Sequence, residues 1–170
     1  IGKMTNVNVY RDSRLTAEDV LGFGFEHVAV ATGATWRRDG IARYNLLPIA
    51  IAPAMPVFTP DDIMDGKRPS GHVVVYDDDH YYMGSVLAEL LVQAGCRVTF
   101  LTPAARAAEW SFNTLEQGLI QARLIEFGID VRTNRGLAAI AAGGVTAACS
   151  YTGRESEIAC DAVVLVTARL

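Results

Sequence analysis

Three aspartates and a histidine stand together after an apolar run, in the stretch VVVYDDDHYYMG, residues 73–84. Carboxylates and an imidazole can bind a metal ion, and alternate acids such as Asp77 and Asp79 share a face at a strand end, with His80 adjacent. No further ligand is evident in the sequence nearby. The sequence therefore favours acids of an ordinary turn, with Asp78 or Asp79 as N-cap of the following helix.

Acid–base catalysis is not indicated by this stretch. His80 beside aspartates can titrate near neutral pH, but Ser85 is the only nucleophile nearby and no base is placed to orient it. Tyr81 and Tyr82 are expected to pack rather than to form a stacking platform. We therefore assign no catalytic residue and no metal ligand here.

A dinucleotide site is the other chemistry that a strand, a turn and a helix in this order can support. In the GxGxxG fingerprint, the glycines allow a tight turn, the approach of the pyrophosphate and close helix–strand packing. Counting back from Gly95, Gly84 matches the third glycine, while Asp77 and Asp79 stand near the first two glycine positions. The turn is about two residues longer than GxGxx requires.

The two aspartates oppose pyrophosphate binding on two physical grounds. Their side chains block the close backbone approach that glycine permits. Their charge also repels an anion at the helix N-terminus, where like charges at ~4 Å cost about 1 to 4 kcal/mol. We therefore expect the dinucleotide site to be closed.

The next strand weakens the dinucleotide hypothesis further. An acid that binds the ribose is expected about 20 residues after the glycine motif, but the strand ends FLTP, with Thr102 in that place. Arg106 could meet a 2′-phosphate, although no second basic residue stands beside it. The candidate nucleotide residues, all in a degenerate loop, are Asp77, Asp79, Gly84, Thr102 and Arg106.

The elements that would position this loop predict an α/β fold. Buried strands and amphipathic helices alternate from residue 70, which indicates right-handed parallel crossovers, and short strands after Asn134 indicate an antiparallel meander. The fold class is therefore a Rossmann-like, FAD/NAD(P)-binding, three-layer domain with a parallel sheet plus a β-meander. Strands are expected at 6–10, 27–35, 72–77, 96–103, 129–134 and 162–167, and helices at 16–25, 59–66, 84–95 and 113–127.

Capping residues and apolar stripes support the helix predictions. Thr16 is a good N-cap, with Asp19 three residues later in a capping-box position. Thr59 is the N-cap of the second helix, with Pro60 at its first position and acids in its first turn. The stripe of the third helix comprises Val86, Leu87, Leu90, Leu91 and Ala94. The stripe of the fourth comprises Leu115, Leu119, Ile120, Leu124 and Phe127.

Composition indicates a globular chain without nucleic-acid or membrane partners. The chain has 170 residues, 51% of them hydrophobic, and a net charge of −4, which gives no footprint for nucleic acid or an anionic membrane. No apolar run reaches the length of a transmembrane helix. The cysteines, Cys96, Cys149 and Cys160, lack metal-site spacing and are expected to be small buried residues in a reducing cytoplasm.

Four stretches together resemble a known family. HVAVATGATWRRDG, FTPDDIMDGK, VVVYDDDHYYMGSVLAELLVQAGCRVTFLTP and WSFNTLEQGLIQARLIEFGI resemble the C-terminal region of the trimethylamine, dimethylamine and histamine dehydrogenases. These enzymes are relatives of 2,4-dienoyl-CoA reductase and of other NADH:flavin oxidoreductases. The resemblance covers nearly the whole chain, and the DDDHYYMG loop is its most specific part.

The resemblance implies the cofactors of a longer parent protein. Members carry an N-terminal barrel with FMN and a [4Fe–4S] cluster, followed by an FAD-like domain that holds ADP and an NADPH-like domain that is vestigial. The reductase relatives keep the NADPH site. No cofactor and no catalytic residue is expected in the present segment, because the barrel, the flavin cysteine and the cluster cysteines have no counterpart here.

The resemblance also implies the domain organisation. Residues 1–57 would be a fragment of the FAD/ADP-binding-like domain with a linker, residues 58–160 the NAD(P)-binding-like domain, and residues 161–170 a strand returning to the first domain. The sequence starts without methionine, and we expect it to be a segment of a longer chain.

The expected function is that of a noncatalytic structural segment of a flavin- and iron–sulfur-dependent amine dehydrogenase, with a closed dinucleotide site. The alternative is a functional NADPH-binding domain of a reductase relative. Expected partners are the parent barrel, an electron-transferring flavoprotein and a homodimer partner, in the cytoplasm. A docking role would leave Tyr81, Tyr82 and Trp110 partly exposed.

Overall fold

The computed structural model describes residues 2–170, which divide into two compact units, 2–33 and 34–170. The first unit contains helix α1 (Ala17–Gly22), which starts at the predicted N-cap Thr16. The backbone N–H of Thr16 donates to Asp19 at 2.8 Å, and the N–H of Asp19 donates to the Thr16 hydroxyl at 3.2 Å. The predicted capping box is therefore confirmed.

The strands predicted at 6–10 and 27–35 are wrong. Neither stretch has strand structure, and no strand in residues 2–170 pairs with either of them. Val28 and Val30 are 53% and 80% exposed, although the apolar pattern predicted burial. A strand is defined by its hydrogen-bonded neighbour, so an apolar pattern without a neighbour does not produce one.

The second unit contains strands in two sheets. A four-stranded sheet has the order β1-β6-β7-β8, and a five-stranded sheet has the order β2-β9-β3-β4-β5. The bounds are β1 Ala50–Ile51, β2 Val57–Phe58, β3 His72–Asp77, β4 Arg97–Leu101, β5 Asp130–Arg132, β6 Arg135–Ala141, β7 Gly144–Cys149, β8 Glu155–Ala159 and β9 Ala162–Val166.

The five-stranded sheet is parallel throughout, as the alternation of strands and helices predicts. β3 lies between β9 and β4, so Val74 pairs with Val163 on one side and Thr99 on the other. All residues of β9 and all but the first of β3 are buried, because both faces of this sheet are covered.

The predicted meander is confirmed. β6, β7 and β8 pair antiparallel, and β1 joins β6 in parallel. β1 and β2 both lie in the segment 36–58, so this proline-containing stretch contributes an edge strand to each sheet. The domain boundaries proposed from the resemblance stay predictions.

Three layers stack in this unit. One face of the parallel sheet packs against the helical layer. This part of the core includes Val73 and Val75 from the sheet and Leu87, Leu91 and Leu124 from the helices. The other face packs against the meander, through residues that include Val74, Tyr76, Leu137, Val145 and Val163. The α/β class with a parallel sheet and antiparallel strands is therefore confirmed.

The helices of the second unit are α2 (Pro60–Met64), α3 (Tyr82–Gln93) and α4 (Gln117–Glu126), with a 3₁₀ helix at Glu109–Thr114. Within the described residues, none of them combines the length and apolar character that crossing a membrane requires. α2 begins after the predicted N-cap Thr59, whose backbone N–H donates to the Asp62 carboxylate at 2.9 Å. α3 buries Leu87 and Leu91 as predicted, whereas Val86 is 54% exposed.

The fourth helix starts later than predicted. Leu115 has a left-handed backbone, φ 63°, and separates the 3₁₀ helix from α4, so the predicted span 113–127 is not continuous. Leu115 and Leu119 are 85% and 74% exposed and do not belong to the apolar stripe, whereas Leu124 is fully buried. A left-handed residue ends a right-handed helix, which explains the difference.

Candidate functional site

The turn from Asp77 to Tyr81 connects the carboxyl end of β3 to the start of α3. Since β3 is an inner strand of the parallel sheet, this turn lies where open α/β sheets bind ligands. The sequence analysis predicts a degenerate nucleotide loop at this position. The acids of this loop are buried, with Asp77 and Asp78 0% and 1% exposed.

Asp77 fills the gap between the strand end and the helix. Its Oδ1 accepts a hydrogen bond from the backbone N–H of His80 at 3.3 Å. A Cβ added to Gly84 would lie 2.8 Å from both Cβ and Cγ of Asp77, so only glycine allows α3 to approach this closely. The predicted packing role of Gly84 is therefore visible in the structure, with the Asp77 side chain as its neighbour.

Burial dominates the electrostatics of Asp77. Desolvation raises the pKa of this carboxyl to about 7 from 3.8, although the nearby His80 side chain and the His80 backbone N–H both act to lower it. The cause is the complete removal of the carboxylate from water. Burial therefore moves the titration of the Asp77 carboxyl close to neutral pH.

Asp78 points to a different part of the chain. Its Oδ2 accepts a hydrogen bond from the backbone N–H of Tyr44 at 2.8 Å. Its Oδ1 lies 3.1 Å from Nε2 of His80, an ion-pair distance without the alignment of a hydrogen bond. His80 itself has a left-handed backbone, φ 66°, and its carbonyl accepts the backbone N–H of Trp110 at 3.0 Å.

Asp79 pairs with an arginine from the C-terminal end of the chain. Its Oδ1 accepts a hydrogen bond from Nη2 of Arg169 at 2.9 Å, and the Arg169 guanidinium lies 4.4 Å from the ring centre of Trp36. Arg43 stacks in the same way over Trp110, at 4.0 Å. Asp78 and Asp79, together with both arginines, line a crevice of about 370 Å³.

The prediction that Asp78 or Asp79 caps α3 is wrong. Tyr81 is the N-cap residue and makes no side-chain capping bond. The Asp78 and Asp79 carboxylates instead accept hydrogen bonds from Tyr44 and Arg169. The metal hypothesis also lacks the geometry: residues 2–170 contain no group of three or more His, Cys, Asp or Glu side chains placed to share an ion.

Thr102 and Arg106 make their contacts away from the turn. Thr102 is fully buried, and its hydroxyl accepts the backbone N–H of Ala104 at 3.2 Å. Arg106 is exposed, with its guanidinium 5.7 Å from the ring centre of Phe112. The structure therefore brings Asp77 and Gly84 together, while Asp79 meets Arg169 and not Arg106.

The partners that sequence reasoning missed are Tyr44 and Arg169. Tyr44 contributes only its backbone N–H, so its residue type gives no indication of this contact. Arg169 ends the apolar run DAVVLVTAR, whose similarity to HVAVATGAT was visible in the sequence. Trp36 directly follows HVAVATGAT and forms an isolated β-bridge with Arg169. The similarity of the two runs therefore indicated residues that lie close together, but not the ion pair between Arg169 and Asp79.

Aromatic side chains are partly exposed beside the turn. Tyr81, Tyr82 and Trp110 are 37%, 39% and 38% exposed, and the rings of Tyr81 and Trp110 meet edge to face at 5.4 Å. Tyr82 donates a hydrogen bond to Glu116 at 2.5 Å. This exposure is what a docking role requires, and the docking partner stays a prediction.

The cysteines have different environments. Cys96 and Cys160 are buried as predicted, and burial raises the pKa of the Cys160 thiol to about 11. Cys149 is only half-buried, at the end of β7. A hydrogen bond from Thr152, together with neighbouring backbone N–H groups, lowers the pKa of its thiol to about 6.

Comparisons with known proteins agree on one group. A family model described as the OYE-like second alpha/beta domain matches residues 58–154. The dimethylamine dehydrogenase of Hyphomicrobium sp. (strain x) is 33% identical over 176 residues, which cover 91% of this chain and 24% of that protein.

Two solved structures superpose on nearly the whole chain. Histamine dehydrogenase from Rhizobium sp. 4-9 is 56% identical with a TM-score of 0.88, over 99% of this chain and 26% of that one. The 6-hydroxypseudooxynicotine amine oxidase from Pseudomonas geniculata N1 is 45% identical with a TM-score of 0.87, over 99% and 25%. The chain therefore spans about a quarter of the length of these relatives.

Proposed function

Because the chain belongs to the family of OYE-like second α/β domains, we propose that it is the corresponding segment of a flavin- and iron–sulfur-dependent amine dehydrogenase. The resemblance to the region found in dimethylamine and histamine dehydrogenases, expected from the sequence, is confirmed by the matches. The identity of 56% to histamine dehydrogenase supports an amine-oxidising parent.

Within that parent, we propose that the segment is a noncatalytic, Rossmann-like structural domain whose dinucleotide site is closed. One observation supports this most directly. The carboxylate of Asp77 occupies the gap between β3 and Gly84 and accepts the His80 backbone N–H. In a nucleotide-binding turn, the corresponding backbone N–H groups face the pyrophosphate. The protein's own acid thus takes the place of the ligand's anion.

Charge in the crevice supports the same conclusion. Asp78 and Asp79 face the same space as Arg43 and Arg169, so the two positive charges meet two negative ones before any ligand arrives. A dinucleotide pyrophosphate would bring further negative charge into this partly desolvated space. The residues present therefore do not fit an NAD(P) molecule.

The parent's other cofactors do not fit this segment either. A [4Fe–4S] cluster needs convergent thiolates, but Cys96 and Cys160 are buried in the apolar core, and no cysteine pair in the sequence has CxxC spacing. A glycine-rich turn for ADP is not present in the described chain. We propose that FMN, the cluster and ADP are held by other parts of the parent.

A nucleotide titration of the folded chain tests the closed site. NADH and NADPH are titrated separately by isothermal calorimetry, with circular dichroism to show that the chain is folded. We expect no saturable heat up to about 1 mM of either nucleotide, since a Kd weaker than ~1 mM corresponds to less than about 4 kcal/mol of binding free energy. Micromolar binding of either nucleotide would contradict the proposal of a closed site.

A functional NADPH site is the second candidate, and the exposure of Arg106 favours it. No ion pair engages Arg106 among the described residues, so its guanidinium is available to a 2′-phosphate. On this hypothesis, Arg106→Ala weakens NADPH binding about tenfold or more and leaves NADH binding unchanged. Competitive titration of the two nucleotides separates the candidates, because a closed site binds neither in the wild type.

We also propose that this segment contacts other parts of the parent protein or other protein chains. The barrel of the parent, a second subunit and an electron-transferring flavoprotein are the candidates, in the cytoplasm. The partly exposed ring cluster of Tyr81, Tyr82 and Trp110 supports a contact of this kind, because aromatic side chains are enriched where proteins dock.

A further inference from the structure

Two chain segments run together beside the acidic turn; residues 35–44 and 167–170 are here called the paired segments. The backbone N–H of Thr35 donates to the carbonyl of Leu170 at 2.8 Å, and the N–H of Leu170 donates back at the same distance. The N–H of Arg37 donates to the carbonyl of Ala168 at 3.0 Å. The paired segments are therefore hydrogen-bonded to each other, although they are more than 120 residues apart in the chain.

The acidic turn holds each of these segments through a different carboxylate. Asp78 accepts the backbone N–H of Tyr44 in the first segment, and Asp79 accepts the guanidinium of Arg169 in the second. The Asp78 side chain is 0% exposed and the Asp79 side chain 10%. Neither is a solvated surface acid, so each bond is made where water does not replace it freely.

We propose that Asp78 and Asp79 form a clasp that fixes the paired segments over the carboxyl end of the parallel sheet. The same two acids line the crevice that the turn and the paired segments bound. Closing the crevice and fixing the paired segments are thus one structural state. This inference extends the proposed function, which states only that the site is closed.

The geometry makes the two events interdependent. Arg169 lies between the Asp79 carboxylate and the ring of Trp36, so its guanidinium is occupied on two sides. An anion that enters the crevice competes with the Asp79 carboxylate for this guanidinium and, when it binds there, can displace it. That displacement removes the side-chain bond that ties the second paired segment to the turn.

Hydrogen–deuterium exchange of the full chain, without any nucleotide, tests the clasp. The first variant is Arg169→Gln, because the Arg169 side chain is 50% exposed and its loss leaves the core intact. We expect the amides of Thr35, Arg37 and Leu170 to exchange about fivefold faster or more, as loss of a partly buried ion pair implies. Amides of β3 and β4 should keep their wild-type rates.

A second variant and a matched control separate a local effect from general destabilisation. Asp79→Asn should accelerate the same amides, and the double variant with Arg169→Gln should add little, because both changes break one contact. Asp130→Asn is the control: Asp130 pairs with Arg132 at the same 2.9 Å distance on β5. It should leave the exchange of the paired segments unchanged.

Two results would overturn the clasp. One is wild-type exchange of the paired segments in both Arg169→Gln and Asp79→Asn. The other is faster exchange spread evenly over the parallel sheet. Since no nucleotide is present, this experiment can fail while the closed site stands, and the nucleotide titration can fail while the clasp stands.

Discussion

At the scale of single residues, Asp77 has the environment that departs furthest from that of an ordinary turn acid. Its carboxylate is fully buried against Gly84 and has one hydrogen bond from the His80 backbone. Burial raises its pKa to about 7, so the folded protein holds a proton on this group at pH values where the unfolded chain has lost it. Ionised Asp77 therefore opposes folding.

The sign of the effect gives a pH-dependent prediction for Asp77→Asn. Because the folded pKa is raised, the contribution of Asp77 to the free energy of unfolding falls as the pH rises from about 4 to about 7. The amide keeps the acceptor and carries no charge, so the variant escapes this loss. Its stability relative to wild type should improve by about 2 kcal/mol between pH 5 and pH 8.

Urea unfolding followed by circular dichroism at pH 5 and pH 8 measures this difference. Asp65→Asn is the matched control, because it makes the same substitution at an exposed position at the end of α2. Parallel profiles for the wild type and Asp77→Asn would show that Asp77 is ionised in the folded protein without penalty.

At the scale of elements, the approach of α3 to β3 is set by one missing side chain. Gly84 lies in the first turn of α3 with a backbone that any residue could adopt, so its requirement is for space and not for conformation. This corresponds to the third glycine of a nucleotide-binding fingerprint. The element geometry of such a fold is thus kept, although the anion-binding part of the turn is filled.

Gly84→Ala should lower the free energy of unfolding by about 1 to 3 kcal/mol, because the new methyl group overlaps Asp77 at 2.8 Å in a packed gap. Gly118→Ala is the control within α4, where an added Cβ meets no atom within 4 Å. It should be neutral or stabilising by up to about 1 kcal/mol. Denaturant midpoints at constant slope measure both, and equal effects would contradict the packing role.

At the scale of the whole molecule, local signals predicted the second unit well and the first unit poorly. The parallel sheet and the meander follow from buried β-branched runs and from turns such as Gly143–Gly144, which are properties of short stretches. The strands expected at 6–10 and 27–35 failed because pairing depends on a neighbour that no local pattern contains. The predicted helix over 113–127 was wrong in its start, because Leu115 adopts a left-handed backbone that its residue type disfavours.

The site was only half predictable for a related reason. Acids in place of glycines are visible in the sequence, and so is the resulting poor fit to a dinucleotide. What those acids bind instead is not visible, since Asp79 and Arg169 are 90 residues apart and Asp78 meets a backbone group of Tyr44. Contacts of this kind are set by the topology, which brings the carboxyl end of β3 beside the end of β9.

The arginine–tryptophan stacks have an optical consequence. The chain has two tryptophans, and each carries a guanidinium over its ring: Arg169 over Trp36 and Arg43 over Trp110. One indole is 9% exposed and the other 38%, so they emit from different surroundings and differ in access to a quencher. Trp110 lies beside His80 of the acidic turn, and Trp36 is connected to the turn through Arg169. The intrinsic fluorescence of this chain therefore reports on this region without an added label.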